Sequence, residues 1–214
     1  MKRESYQKTK NMVLMAVFIA IIIIQSIVPI LGYIPLGIIN ATLVHVTVAI
    51  GAVLLGVKAG AGLGLVFGLG SMWKNTFIMV NPTSFCFSPF VPGIGGYSGG
   101  IRSVIVCLVP RILVGVVAAL VFNALKKKKV NQKIALLVAG AMAGITNTIL
   151  VMGGIFFLFG PSYAAAAKIE FSQLPLIIMG IIGTNGVAES IVSAILTLAV
   201  AGTLLKINEV NEDR

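Results

Sequence analysis

The chain has 214 residues, of which 58% are hydrophobic and only 10% charged, with a net charge of +10. Soluble domains carry about 25% charged residues, so this composition, with a mean hydropathy of +1.06, excludes an ordinary soluble domain and points to an integral membrane protein. The basic residues sit at the ends of apolar runs, as topology signals do, and form no patch suited to nucleic acid.

A bilayer core takes about 20 apolar residues of helix. In chain order the runs 12–30, 40–56, 60–73, 101–125, 133–159 and 174–205 fit this demand. They predict an all-α integral membrane protein, a compact bundle of six transmembrane helices forming a single domain over residues 1–214. The first run lacks an A-x-A cleavage site and is followed by further spans, so it reads as a span and not a removable signal. "GVKAG" (56–60) joins the short second and third runs into a tight helical hairpin. The fifth and sixth are long enough to be tilted or broken.

Lysine and arginine distribute unevenly across six spans. Lys2, Arg3, Lys8, Lys10, Lys58, the five lysines of "KKKKVNQK" (126–133), Lys206 and Arg214 fall on one side, against Lys74, Arg102 and Lys168 on the other. Positive charge stays cytoplasmic, so both termini are expected inside. The lysine run reads as a solvated turn, with binding to anionic membrane lipid as a secondary use.

Three connections face outward: 31–39, 74–100 and 160–173. A structureless loop as long as the second is uncommon unless it does something, such as covering a site. Its "GIGGYSGG" (93–100) has the glycines of a phosphate loop but lacks the strand and helix context, and reads as a flexible lid or turn. Cys86 and Cys107 have neither a disulfide framework nor metal-ligand spacing. The sequon at Asn40-Ala41-Thr42 carries little weight in a chain with no other sign of secretion.

Polar residues of the last three spans meet at one depth. Arg111 lies 10 residues in from Ile101, Asn147 12 residues in from Phe159, and Asn185 11 residues in from Leu174. At 1.5 Å per residue all three sit about 15–18 Å below the outer surface. A lone arginine in hydrocarbon costs at least ~2.5–3.5 kcal/mol and faces a partner or a watery cavity. Pro110 withholds an N–H from the carbonyl of Val106, leaving an acceptor for water, a side chain or a ligand. The sixth span offers Asn185, Glu189, Ser193 and Thr197 at spacings of four, on one helical face.

Two readings of Arg111 stay open. One is an ion pair with Glu189 that locks two helices. The other is a clamp for an anionic ligand, with Glu189 tuning or releasing it, which also accounts for two asparagines at the same level. His45, the single histidine, reads as a satisfied buried ring. Trp73 and Asn75 end the third span at the outer interface and are candidates for ligand contact, although an interfacial tryptophan is expected there anyway. No Walker A motif, H-E-x-x-H pair or G-x-S-x-G elbow is present, so no enzyme activity is expected.

In the first span, Ala16 and Ala20 stand four apart among bulky isoleucines, a small-residue groove suited to a partner helix. Gly60, Gly64 and Gly68, and Gly140 and Gly144, have the same spacing and read as packing within the bundle. With this alanine pair, "GIINATLVHVTVAIGAVLLGVKAGAGLGLVFGLGS" (37–71), "PRILVG" (110–115) and the asparagine-bearing last spans, the chain resembles the substrate-binding S components of energy-coupling factor (ECF) vitamin transporters. The resemblance covers nearly the whole chain and is greatest to the pantothenate type.

That resemblance implies capture of a vitamin from outside, followed by docking on a shared transmembrane scaffold, EcfT, driven by two cytoplasmic ATPases. It implies that Ala16 and Ala20 receive EcfT and that Arg111, Asn147 and Asn185 line the substrate pocket. It also implies that the whole S component topples in the membrane during transport. This chain would bind no cofactor itself, ATP being used by the partner subunits.

Chemistry bears separately on the substrate. Pantothenate is a monocarboxylate with an amide and two hydroxyls, suited to one arginine fork and amide side chains. Folate is the runner-up, because Trp73, Phe85, Phe87, Phe90 and Tyr97 could fold over a ring; riboflavin follows. A self-sufficient secondary transporter is the rival class, but the inverted repeats it would carry are not evident.

Overall fold

The computed structural model describes residues 2–36, 39–78, 80–93 and 99–212. Eight helices and one hairpin follow in order: α1 (Lys2–Ile27), α2 (Pro29–Gly32), β1 (Tyr33–Leu36), β2 (Ile39–Thr42), α3 (Val44–Leu55), α4 (Val57–Phe77), α5 (Gly100–Lys127), α6 (Gln132–Ala167), α7 (Leu174–Ile181) and α8 (Val187–Glu212). A π-helical turn over Ile182–Gly186 joins α7 to α8 in one continuous rod. Among the described residues four segments, Ser5–Ile27, Gly100–Lys127, Gln132–Ala167 and Phe171–Ile207, are long and apolar enough to cross a membrane. The chain is a multi-pass, predominantly helical membrane protein.

The second expected span departs most from its hydropathy run. Residues 39–42 pair antiparallel with 33–36, Tyr33 opposite Thr42, so the helix starts only at Val44 and has 12 residues. At 1.5 Å per residue that is about 18 Å, against a hydrocarbon core of about 30 Å. Every residue from Val44 to Val53 is buried, so α3 is a central pillar sheathed by other helices. Non-helical backbone is tolerated at such depth only where protein buries it or where it lines a cavity, and the end of the hairpin does both.

Other boundaries move for local reasons. α6 runs to Ala167, well past the expected end at 159, because the alanine run 164–167 is the best of helix formers. It stops where Lys168 adopts a left-handed conformation, φ 57°. α3 turns into α4 at Gly56, whose φ of 89° a side chain would disfavour.

Glycines set the tightest contacts. A Cβ at Gly60 or Gly64 would overlap the backbone of α5 at Gly115 or Arg111, and one at Gly68 would press on Cys107 and Leu108. α6 meets α8 in the same way, Gly140 against Ser193 and Ala194, Gly144 against Ser190. Small residues at this spacing let backbones approach closely, which drives helix association where lipid removes the hydrophobic incentive.

Of three apolar clusters among the described residues, the least is Ala164, Leu174 and Ile178, and two others are more extensive. The larger joins Phe18 and Ile22 of α1, most of α3, Leu63 and Phe67 of α4, Val114 to Phe122 of α5 and Leu136 of α6. The smaller gathers Val106, Val151, Ile155 and Phe159 under Phe85 and Cys86 of the long connection. The described part of that connection is fastened: Phe85 packs edge-on against Phe159 at 5.6 Å, and the Thr76 and Ser88 hydroxyls meet at 2.7 Å. Most of the glycine-rich stretch expected to form a lid, Tyr97 included, lies outside the described residues.

Candidate functional site

Between the two more extensive clusters lies a polar cavity of about 230 Å³, bordered by Phe67 from the first and Val151 and Phe87 from the second. Arg111 forms its cationic wall. Because Pro110 has no N–H, the Val106 carbonyl lacks its helical donor, and the Arg111 Nη1 donates to it instead at 2.9 Å. The guanidinium carbon lies 5.5 Å from the Phe67 ring centroid and 5.3 Å from that of Phe87. Such cation–π contacts are worth about 2 kcal/mol when desolvated. Nε is buried without a partner, so Nη1 is committed and the Nε–Nη2 edge of the fork remains for a guest.

Asn147 and Thr148 enter from α6, and Asn185 from the π turn. The Asn147 Oδ1 is buried without a hydrogen bond, an acceptor that a hydroxyl or amide donor would satisfy. π turns concentrate at functional sites, and this one carries an asparagine to the cavity wall. Asn75 completes the asparagine set, its Nδ2 donating to the Ser71 carbonyl at 2.8 Å. Thus Arg111, Asn147, Asn185, Asn75 and Glu189 are brought to one cavity.

Glu189 does not pair with Arg111. Its Oε1 accepts from the Thr42 backbone N–H at 2.9 Å and its Oε2 from the Thr148 hydroxyl at 3.2 Å. The helix-locking ion pair is therefore replaced by a tether that joins α8 to the hairpin and to α6. Both charges remain on the cavity wall. The four-residue ladder on α8 also divides: Asn185 and Glu189 reach the cavity, while Ser193 and Thr197 are fully buried beyond it, their hydroxyls unpartnered. His45 is buried beside Glu189 with neither ring nitrogen hydrogen-bonded, so it is not the satisfied ring expected.

Several lining residues escaped sequence reading, and one of them carries charge. Lys74, read as a loop charge, is buried and faces the same cavity. The signal was present: Gly60, Leu63, Gly64, Phe67, Gly68, Ser71 and Lys74 form one buried stripe at helical spacing along α4. Formal charge in the cavity is then two cations, Arg111 and Lys74, against one anion, Glu189.

The family model for the ECF transporter substrate-specific component matches residues 10–201. The chain belongs to that family. Its relatives are transporter components, not enzymes. The "Pantothenic acid transporter PanT" of Lactococcus lactis subsp. cremoris (strain MG1363) is 35% identical over 201 residues, 93% of this chain and 95% of the relative. The "Pantothenate transporter PanT" of Leuconostoc mesenteroides subsp. mesenteroides is 31% identical over 217 residues, 96% and 97% of the two chains.

Two expectations for this S component read differently in the structure. Trp73 does not line the cavity: it is 56% exposed and packs on Phe77 with ring centroids 4.4 Å apart. One residue from Lys74 is about 100° around the helix, which turns it away from the buried stripe. Among the other described aromatics proposed to fold over a ring, Phe85 packs on Phe159 and Phe90 is exposed, while Phe87 reaches the cavity. Ala16 and Ala20 both lie on the exposed face of α1, flanked by exposed Val13, Val17, Ile23 and Ile24.

Proposed function

We propose that this chain is the substrate-capture subunit of an ATP-driven vitamin importer and that it binds pantothenate in the cavity around Arg111. The observation that carries this reading is the cavity's formal charge. Arg111 and Lys74 against Glu189 leave one excess positive charge, which a monocarboxylate neutralises. The Nε–Nη2 edge of Arg111 offers two parallel donors to a carboxylate. Asn75, Asn147 and Asn185 offer donors and acceptors to the amide and hydroxyls of the rest of the molecule. The names of both relatives favour the same vitamin.

Size and lining weigh against the runner-up. At about 230 Å³ the cavity is below the range of about 300–1,000 Å³ typical of ligand pockets, which suits a compact aliphatic acid. Folate would need room for a pterin and a second carboxylate, and riboflavin would need stacking faces beyond Phe67 and Phe87.

Both termini and the lysine run are cytoplasmic in this reading, so the cavity opens to the outside. Delivery follows by docking of the exposed alanine face of α1 on a shared EcfT scaffold, driven by two cytoplasmic ATPases that use the ATP. Equilibrium dialysis of the purified chain in mild detergent tests capture. It should bind pantothenate without other subunits or ATP, and folate and riboflavin at least a hundredfold more weakly. Equal binding of folate, or no binding of pantothenate, refutes the assignment.

A further inference from the structure

Two of the depressions outside the polar cavity lie along the contact between α6 and α8. One, of about 570 Å³, is floored by Leu136, Leu198 and Gly202 and rimmed by Lys133 and Lys206. The other, of about 560 Å³, runs between Leu137, Ile145 and Ile149 on α6 and Val187, Ile191 and Ile195 on α8. Neither lining contains an acidic side chain among the described residues.

The two form successive parts of one seam. α6 and α8 run antiparallel in a fixed register, with Gly144 against Ser190, Gly140 against Ser193 and Leu136 beside Gly202. Continued one turn further, that register sets Lys133 beside Lys206 at the end where the lysine run 126–129 turns between α5 and α6. From there the trough follows every fourth residue of α6, 137, 141, 145 and 149. The distance from Lys133 to Ile149 is about 24 Å at 1.5 Å per residue, longer than half of a core about 30 Å thick. Its walls face outward, with Ile149, Ile191 and Ile195 all about half exposed.

A trough that is cationic at the membrane boundary and mostly aliphatic within, with Thr148 and Ser190 its polar side chains, has the chemistry of one molecule class. We infer that the α6–α8 seam binds an anionic phospholipid, its phosphate between Lys133 and Lys206 and an acyl chain along Ile145, Ile149, Ile191 and Ile195. Charge selects this occupant over a transmembrane helix. Cations confined to one end match a headgroup above a tail, whereas an apolar helix surface gives the lysines nothing to meet. The trough shares Thr148 with the polar cavity, its lysine end lies away from it, and the inference stands whichever vitamin the chain binds.

Native mass spectrometry of the full chain, exchanged into mild detergent with phosphatidylglycerol or phosphatidylcholine, tests the site. Wild type should retain one phosphatidylglycerol and release phosphatidylcholine. Lys133→Gln/Lys206→Gln should lower phosphatidylglycerol retention about thirtyfold, from the surface attraction of two lysines. Lys127→Gln/Lys128→Gln removes equal charge from the neighbouring turn and should change retention less than threefold. Gly202→Phe fills the trough from a position where a Cβ meets only ordinary contact with Leu136, at 3.5 Å, and should also release the lipid. Unchanged vitamin binding shows that each variant is folded. Equal retention of phosphatidylcholine, equal loss in both lysine pairs, displacement by millimolar inorganic phosphate, or a co-purifying protein helix protecting the seam instead would each overturn the inference.

Discussion

Replacing Arg111 by methionine tests the cavity at its centre. Methionine keeps an unbranched apolar stem for Phe67 and Phe87 but removes the fork, and the formal charge of the cavity falls from one excess cation to none. Truncating one member of a buried, hydrogen-bonded charge pair costs about 2–5 kcal/mol, so pantothenate affinity should fall about 30- to 5,000-fold. Stability changes separately. The Val106 carbonyl loses its Nη1 donor, a penalty of about 1–3 kcal/mol for a buried acceptor. Pro110→Ala supplies the missing backbone N–H, so Pro110→Ala/Arg111→Met should recover the melting temperature but not the affinity. Titration calorimetry and thermal melting on the same preparations separate the two. If Arg111→Met binds within threefold of wild type, or if the double variant regains affinity along with stability, the clamp is wrong.

Glu189→Gln keeps an acceptor for the Thr42 N–H while leaving the loaded cavity with a net positive charge. Detergent binding of pantothenate should hold or tighten while uptake by the assembled transporter falls more than tenfold, and parallel changes in both would refute this. Ala16→Trp, on the exposed face of α1, should leave binding within threefold and abolish uptake in proteoliposomes containing the ATPase module; continued uptake would move the docking face elsewhere. Burial pushes the Cys86 thiol up to about 12, so almost none is thiolate at pH 8, and Cys107 is buried with its Sγ donating to the Gly68 carbonyl at 3.3 Å. Maleimide should therefore label neither cysteine until the protein is unfolded, and labelling of Cys86 in the native state would show that the long connection opens.

Much of this architecture is legible in sequence because lipid leaves the backbone few choices. Apolar runs must be helices, and helices have a fixed rise, so counting residues was enough to bring Arg111, Asn147 and Asn185 to one level. What escaped was non-local. The strand pairing that shortens α3 depends on residues 33–36 meeting 39–42, and its inner end is held by Glu189, 147 positions away from Thr42. No hydropathy window contains that contact. Lys74 and Trp73 escaped for a different reason: both were judged by composition near a span end, whereas the α4 stripe from Gly60 to Ser71 already assigns one to the interior and the other to the exposed face.

Three departures from regular helix border the same cavity. Pro110 frees the Val106 carbonyl that Arg111 takes up; the π turn carries Asn185; the hairpin ends at Thr42, whose N–H meets Glu189. Each interruption exposes backbone groups that hydrocarbon cannot satisfy, so scattered placement would only destabilise the fold. Gathered around polar side chains, they are tolerated because the same groups that satisfy the backbone also shape the cavity. Arg111 and Glu189 each tie down a backbone group with one atom and keep their charge at the wall. A guest that engaged them would act on α5, on α8 and on the hairpin together.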